Sequence, residues 1–199
     1  MLRWGRVAIA YLAASASAVG LSILWRDNLP FVYEDPWLVL PGFVSHAYSL
    51  AIGLGFGALV AFSTRVFVVR FAWARNLHQE LRPVARNLSA SGIAAVAAFS
   101  ALGEELWFRG LLQPWLGIWL QALIFGVIHS QIRGPARWAW VLWATIMGLA
   151  FGALFALTGS LAGPIAAHAL INWLNLGYLK SFDPEPRRRS LGGLLGQRS

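Results

Sequence analysis

Long apolar stretches, each about as long as a bilayer is thick, are separated in this chain by short charged connectors. Roughly 20 apolar residues wound as a helix cross the ~30 Å hydrocarbon core, and in lipid only helices and closed barrels satisfy their own backbones. We read six such stretches, at about 7–25, 37–64, 90–113, 116–132, 138–158 and 161–179. The expected fold class is therefore all-α: a polytopic membrane helical bundle of about six transmembrane helices. The composition agrees, with 58% hydrophobic and 12% charged residues where soluble domains carry about a quarter charged. Several of the eleven Trp lie near the ends of the stretches, as expected of side chains that prefer the bilayer interface. There are no cysteines, which excludes disulfides, thiolate catalysis and Cys-ligated metal.

The connectors alternate in charge. Arg3 and Arg6 precede the first stretch, and the 26–36 connection is slightly acidic, with Arg26, Asp27, Glu34 and Asp35. The 65–89 connection carries Arg65, Arg70, Arg75, Arg82 and Arg86 against Glu80 alone. The turn near 113–117 is uncharged, the next loop has Arg133 and Arg137, and the turn near 159–161 is again uncharged. Lys180, Arg187, Arg188, Arg189 and Arg198 follow the last stretch. The positive-inside rule then places both termini and both basic loops in the cytoplasm. The expected location is an integral, multi-pass protein of a bacterial plasma (inner) membrane. The net charge of +8 is explained by topology and contact with anionic lipid, so the lipid bilayer is the expected partner and nucleic acid is not.

Arg3, Arg6 and Ala16-x-Ala18 also fit a secretory signal with a cleavage site. The apolar run continues through Trp25 to spanning length, so we expect a retained first helix. Residues 73–88 differ in kind. Leu77, Leu81, Val84 and Leu88 oppose Arg75, Gln79, Arg82 and Arg86, which predicts an amphipathic helix on the cytoplasmic surface, bent near Pro83. Ser89 or Ser91 can cap the helix that follows. No internal repeat or second domain is visible. We expect one membrane domain over 1–182, with its core at 89–178, and a basic, disordered cytoplasmic tail over 183–199.

Inside the apolar stretches lie Glu104-Glu105-x-x-x-Arg109, Phe125-x-x-x-His129 and His168-x-x-x-Asn172. Ionisable residues at membrane depth are costly and mark a functional site by default. Glu104 and His129 are equidistant from a point between Leu116 and Gly117, where Pro114 and the uncharged turn place a hairpin apex. Each is then ~18 Å from the outer face, and His168 is ~12–14 Å beyond the other outer turn, at 1.5 Å per residue. Three stretches thus deliver polar groups to one layer. Glu105 and Arg109 are four apart and can pair. Glu104 is turned ~100° away and can face a cavity with an imidazole. Two such environments push the carboxylates apart in role, one a fixed anion and one a titrating base.

Glu104-Glu105-Leu-Trp-Phe-Arg109-Gly110, then Phe125-Gly-Val-Ile-His129, then Gly159-Ser160-Leu161 leading to His168-Ala-Leu-Ile-Asn172 resemble the CAAX-protease and bacteriocin-processing (Abi, or type II CAAX prenyl endopeptidase) family. The resemblance covers roughly 89–178, the last four stretches, and implies an intramembrane glutamic endopeptidase that uses no metal or other cofactor. It implies Glu104 as general base, His129 as its partner in activating water, and His168 and Asn172 as oxyanion donors. Glu105 and Arg109 would hold the first motif in place, and Phe125 would pack beside the site. The expected substrate is a polypeptide in or near the membrane.

Other readings of the same residues stand beside this one. Glu105 with Arg109 also reads as a structural ion pair, a single His as an interhelical hydrogen bond, and Asn172 and Asn175 as interhelical glue. His46 and His78 lack a partner motif and read as structural or interfacial. Two His with a carboxylate suit a catalytic zinc, although no His-Glu-x-x-His sequence is present. An immunity-type protein that binds peptide without cutting it, and a proton-coupled transporter, are the non-protease alternatives.

Overall fold

A computed structural model describes residues 4–131 and 134–184. Among them are seven α-helices: α1 (Trp4–Arg26), α2 (Gly42–Arg70), α3 (Ala72–Arg86), α4 (Ala90–Glu105), α5 (Gln113–Ile128), α6 (Arg137–Thr158) and α7 (Ala162–Ser181). A π-helical stretch, Leu106–Leu112, joins α4 to α5. Trp4–Arg26, Gly42–Arg70, the run Ala90–Ile128 and Arg137–Thr158 are long and apolar enough to cross a membrane. The chain is an integral membrane protein built as an all-α bundle. The part of the tail beyond residue 184 lies outside the described residues; Asp183, at its start, is paired with Arg82 of α3 at 2.7 Å.

The run Ala90–Ile128 is folded on itself. Gly117, with φ +70° and ψ 173°, leaves helical geometry inside α5, a backbone that glycine reaches without a Cβ penalty. Phe108 and Phe125 meet edge to face at 4.9 Å, and Glu104 approaches His129. Both pairs straddle the point between Leu116 and Gly117, so the hairpin apex is where the sequence predicts it. α7 then packs chiefly against α2 and α4, and α5 against α6.

Close helix approach relies on small residues, as is usual where lipid offers no hydrophobic drive between helices. Gly53 of α2 lies against the backbone of Gly163 in α7, where a Cβ on either would overlap the other helix. Ser49 Oγ accepts from Gly163 N at 3.0 Å in the same contact. The 27–41 connection is no open loop. Tyr33, Trp37 and Leu38 donate backbone N–H groups to the carbonyls of Gly159, Ala156 and Leu157, and Leu161 donates to Phe31. It laces across the α6–α7 turn, whose cap is Gly159 at φ +72°.

α3 is amphipathic, with Leu77 and Ala85 buried and Arg86 exposed. Its predicted apolar face is only partly covered: Leu88 is buried but Val84 is exposed. His78, expected on the surface, is buried. It packs edge-on against Tyr178 and Phe182 and its Nε2–H donates to the Phe182 carbonyl at 3.1 Å. Burial pushes its pKa below the usual imidazole value, aided by Arg82 and opposed by that hydrogen bond and Asp183. Ser89 caps α4, accepting from Gly92 N at 3.0 Å. His46 hydrogen-bonds Ser160 Oγ through Nδ1 at 2.6 Å.

Candidate active site

Glu105 and Arg109 are both fully buried. Arg109 Nη1 donates to Glu105 Oε1 at 3.0 Å and Nη2 to the Gly148 carbonyl at 3.2 Å. Its guanidinium also lies over the rings of Phe125 (4.5 Å) and Phe151 (5.3 Å), a cation–π cage well suited to a desolvated Arg. The pair sits where the chain turns π-helical, a rare winding found mostly at functional sites. Glu105 and Arg109 are thus paired as the spacing predicts.

The same Glu105 oxygen accepts from His168 Nδ1 at 2.7 Å. His168 Nε2 is then the nitrogen turned away, and it lies 3.8 Å from Glu104 Oε2. The imidazole is stacked on Phe151 at 5.3 Å, which fixes its plane. His129, at the C-terminal end of α5, repeats the arrangement. Its Nδ1–H donates to the Phe125 carbonyl at 2.6 Å, and its Nε2 also lies 3.8 Å from Glu104 Oε2. A ring nitrogen held by an acceptor fixes the tautomer and aims the other nitrogen.

Glu104 stands between the two imidazoles. Its Oε2 is buried and hydrogen-bonds to no atom of the described residues. Glu105 Oε2 is also without such a partner, yet Glu105 does not line the cavity that Glu104 faces. Separations of 3.8 Å are too long for direct hydrogen bonds. Asn172 joins the group from α7, donating Nδ2 to Ser100 Oγ at 3.1 Å. One of its two amide hydrogens is thereby used and the other is available.

Glu104, His129, His168 and Asn172 line one cavity of about 350 Å³. The walls are otherwise largely apolar, including Phe67, Trp140, Trp143 and Met147, and the cavity extends to Trp73, Leu77 and Leu81 of α3. A mostly apolar cleft with a few convergent polar groups is the usual form of a binding or active site. All seven residues singled out in the sequence meet here: five, Phe125 among them, at the cavity and two, Glu105 and Arg109, behind it.

Sequence reasoning missed several polar neighbours. Tyr11 of α1 donates its hydroxyl to Glu104 Oε1 at 2.9 Å from 93 residues away. Ser100 holds Asn172. Gln113 Nε2 donates to the Gly152 carbonyl at 2.9 Å and Gln121 Nε2 to Gly148 at 3.2 Å, tying the hairpin to α6. A buried Gln in an apolar run was a visible signal of an interhelical hydrogen bond. Tyr11 and Ser100 gave no comparable signal.

Residues 86–174 match the family model described as type II CAAX prenyl endopeptidase Rce1-like. The matched region contains all seven of these residues and excludes α1 and α2. The uncharacterized protein YpbD of Bacillus subtilis (strain 168) is 35% identical over 72 residues, 36% of this chain and 37% of that protein. The alignment therefore spans little more than a third of that relative's length. No solved structure matches. The family match is consistent with the CAAX-protease resemblance of the three motifs.

Proposed function

Taking the family match over 86–174 as premise, we propose that this protein is an intramembrane endopeptidase that cuts a polypeptide in or near the bilayer by a glutamate-activated water. One observation carries the reading. Glu104 Oε2 is a buried carboxylate oxygen without a hydrogen-bond partner among the described residues, 3.8 Å from the Nε2 atoms of both His129 and His168, at a cavity. A carboxylate oxygen left without a donor at membrane depth is costly unless it works.

The chemistry follows from the donor pattern. A water at Glu104 Oε2 gives one proton to that carboxylate while its oxygen bonds to the scissile carbonyl carbon. His129, whose Nδ1 proton is held by Phe125, offers an Nε2 lone pair that orients the water. The carbonyl π electrons move to oxygen. Asn172 donates its remaining amide hydrogen to that oxygen, and His168, anchored to Glu105 through Nδ1, turns its Nε2 toward it. Donors already aimed at the developing charge in a dry site are worth about 3–4 kcal/mol each. The C–N bond then breaks, and the amine leaves with the proton carried by Glu104. Glu105 and Arg109 position His168 and do not touch substrate. By the positive-inside rule, α3 and its end of the cavity face the cytoplasm.

The test compares protein termini in host membranes carrying wild type or Glu104→Gln, by mass spectrometry. A defined set of termini lost in the variant supports the protease and names its substrate. Unchanged termini with a folded, inserted variant overturn it, and binding without cleavage becomes the better account.

A further inference from the structure

We infer that Tyr11 of α1 is a positioning residue that aims Glu104, an inference that rests on Glu104 being the base. A glutamate side chain ends in an sp³–sp² torsion with a broad, roughly two-fold preference, so an untethered carboxyl rotates easily. Here one oxygen is held. Tyr11 donates to Oε1 at 2.9 Å, while Oε2 keeps its place 3.8 Å from both imidazole Nε2 atoms and bonds to no atom of the described residues. Occupying Oε1 leaves a single oxygen to serve as base, and that oxygen faces the cavity, which Tyr11 itself also lines. A misplacement of about 1 Å at such a group can cost on the order of 100-fold in rate.

The tyrosine is itself placed by several contacts. α1 approaches α4 at Gly103, where a Cβ would lie 3.0 Å from Tyr11 Cδ1 and 3.1 Å from its carbonyl oxygen. Ser15 Oγ donates to that same carbonyl at 2.8 Å. One turn further on, Trp107 Nε1 donates to the Ala14 carbonyl at 2.8 Å, and Arg26 Nη1 reaches the Gly110 carbonyl at 2.7 Å. α1 is thus docked along the helix that carries the glutamates. It lies wholly outside the region matched by the family model, so the aiming group comes from a part of the chain that the shared motifs do not include.

Two variants test this. Tyr11→Phe removes only the hydroxyl, and Gly103→Ala pushes the tyrosine back while keeping it. Both are assayed as the full chain in detergent, on a peptide spanning the cleavage site that the termini comparison identifies. Each should lower kcat by about 10–100-fold, with KM within about twofold. Each should also shift the Glu104 carboxyl bands, isolated as the infrared difference between wild type and Glu104→Gln. A purely structural role would lower the thermal midpoint and the folded yield without moving those bands.

Cleavage by Tyr11→Phe at the wild-type rate overturns the inference and leaves the protease reading standing. Loss of kcat with unshifted bands also overturns it, because Tyr11 then acts through packing. Should wild type show no Glu104-dependent termini, the protease reading fails separately and the bands still decide. Unshifted bands in Tyr11→Phe then refute the tether, and shifted bands establish it for a carboxylate with another task.

Discussion

His168 and Glu105 meet at 2.7 Å through Nδ1 and Oε1, and this contact decides which imidazole nitrogen Glu104 sees. Glu105 also holds Arg109 with the same oxygen, so one buried carboxylate organises a cation and an imidazole together. The two adjacent glutamates are therefore not interchangeable, and the difference is measurable.

Glu104→Gln and Glu105→Gln should separate activity from stability. Removing one partner of a buried ion pair costs about 3–5 kcal/mol, because the other charge is left uncompensated. Glu105→Gln should lose stability on that scale and lower kcat at least about 100-fold through His168. Glu104→Gln should abolish cleavage with stability changed by about 1 kcal/mol or less. Thermal unfolding in detergent beside the peptide assay reads both, and equal destabilisation by the two variants would contradict the assignment.

A chelator separates water activated by glutamate from water activated by zinc. Two His and a carboxylate could serve either chemistry. Activity should survive o-phenanthroline and dialysis unchanged. Loss on chelation, restored by added Zn²⁺, would move the mechanism to a metal centre built on the same atoms.

His78 should make the docking of α3 pH-dependent. Burial holds its pKa below the usual value, so the undocked helix binds the proton more readily than the docked one. Docking is then fully stable above about pH 6.5 and weakens as pH falls through that value. Protection factors of the α3 amides, corrected for the intrinsic exchange rate at each pH, should fall between pH 7 and 5, and His78→Phe should flatten that fall. Protection factors independent of pH in wild type would show that the imidazole is not linked to docking.

Bulk at the α2–α7 contact should be costly. Gly163→Val places side-chain carbons where the backbone and hydroxyl of Ser49 now lie, an overpacking that costs about 1–3 kcal/mol or more. Ser160→Ala near the same turn should cost less, about 1 kcal/mol, since it removes only the hydroxyl bonded to His46 and Ala162. Unfolding midpoints ranked the other way would contradict this packing account.

Much of the architecture was legible because bilayer thickness and hairpin arithmetic are strict. The apex at Leu116–Gly117 and the Glu105–Arg109 pair follow from spacing along the chain, and of the two serines able to cap α4, Ser89 and Ser91, Ser89 does so. Polar residues at one depth were bound to meet once the hairpin closed. The hidden part is what distant segments contribute. Tyr11 sits 93 residues from Glu104 and Ser100 sits 72 from Asn172. A tyrosine or serine in an apolar helix looks the same whether it tethers a carboxylate or faces lipid. The π-helical winding at Leu106–Leu112 and the lacing of 27–41 over the α6–α7 turn are likewise products of tertiary packing, with no local pattern to announce them.

The α2–α7 contact also sets an order of events during biosynthesis. Ser49 must wait for Gly163, 114 residues later, which at ribosomal speed is a delay of roughly 5–20 s. Through that interval the small-residue face of α2 lies without its partner in the membrane, and Glu105 lacks its imidazole. His168 and Asn172 arrive with α7. The newborn chain therefore carries its two glutamates through insertion as an unfinished site, and the cavity closes around them only once α7 has been made.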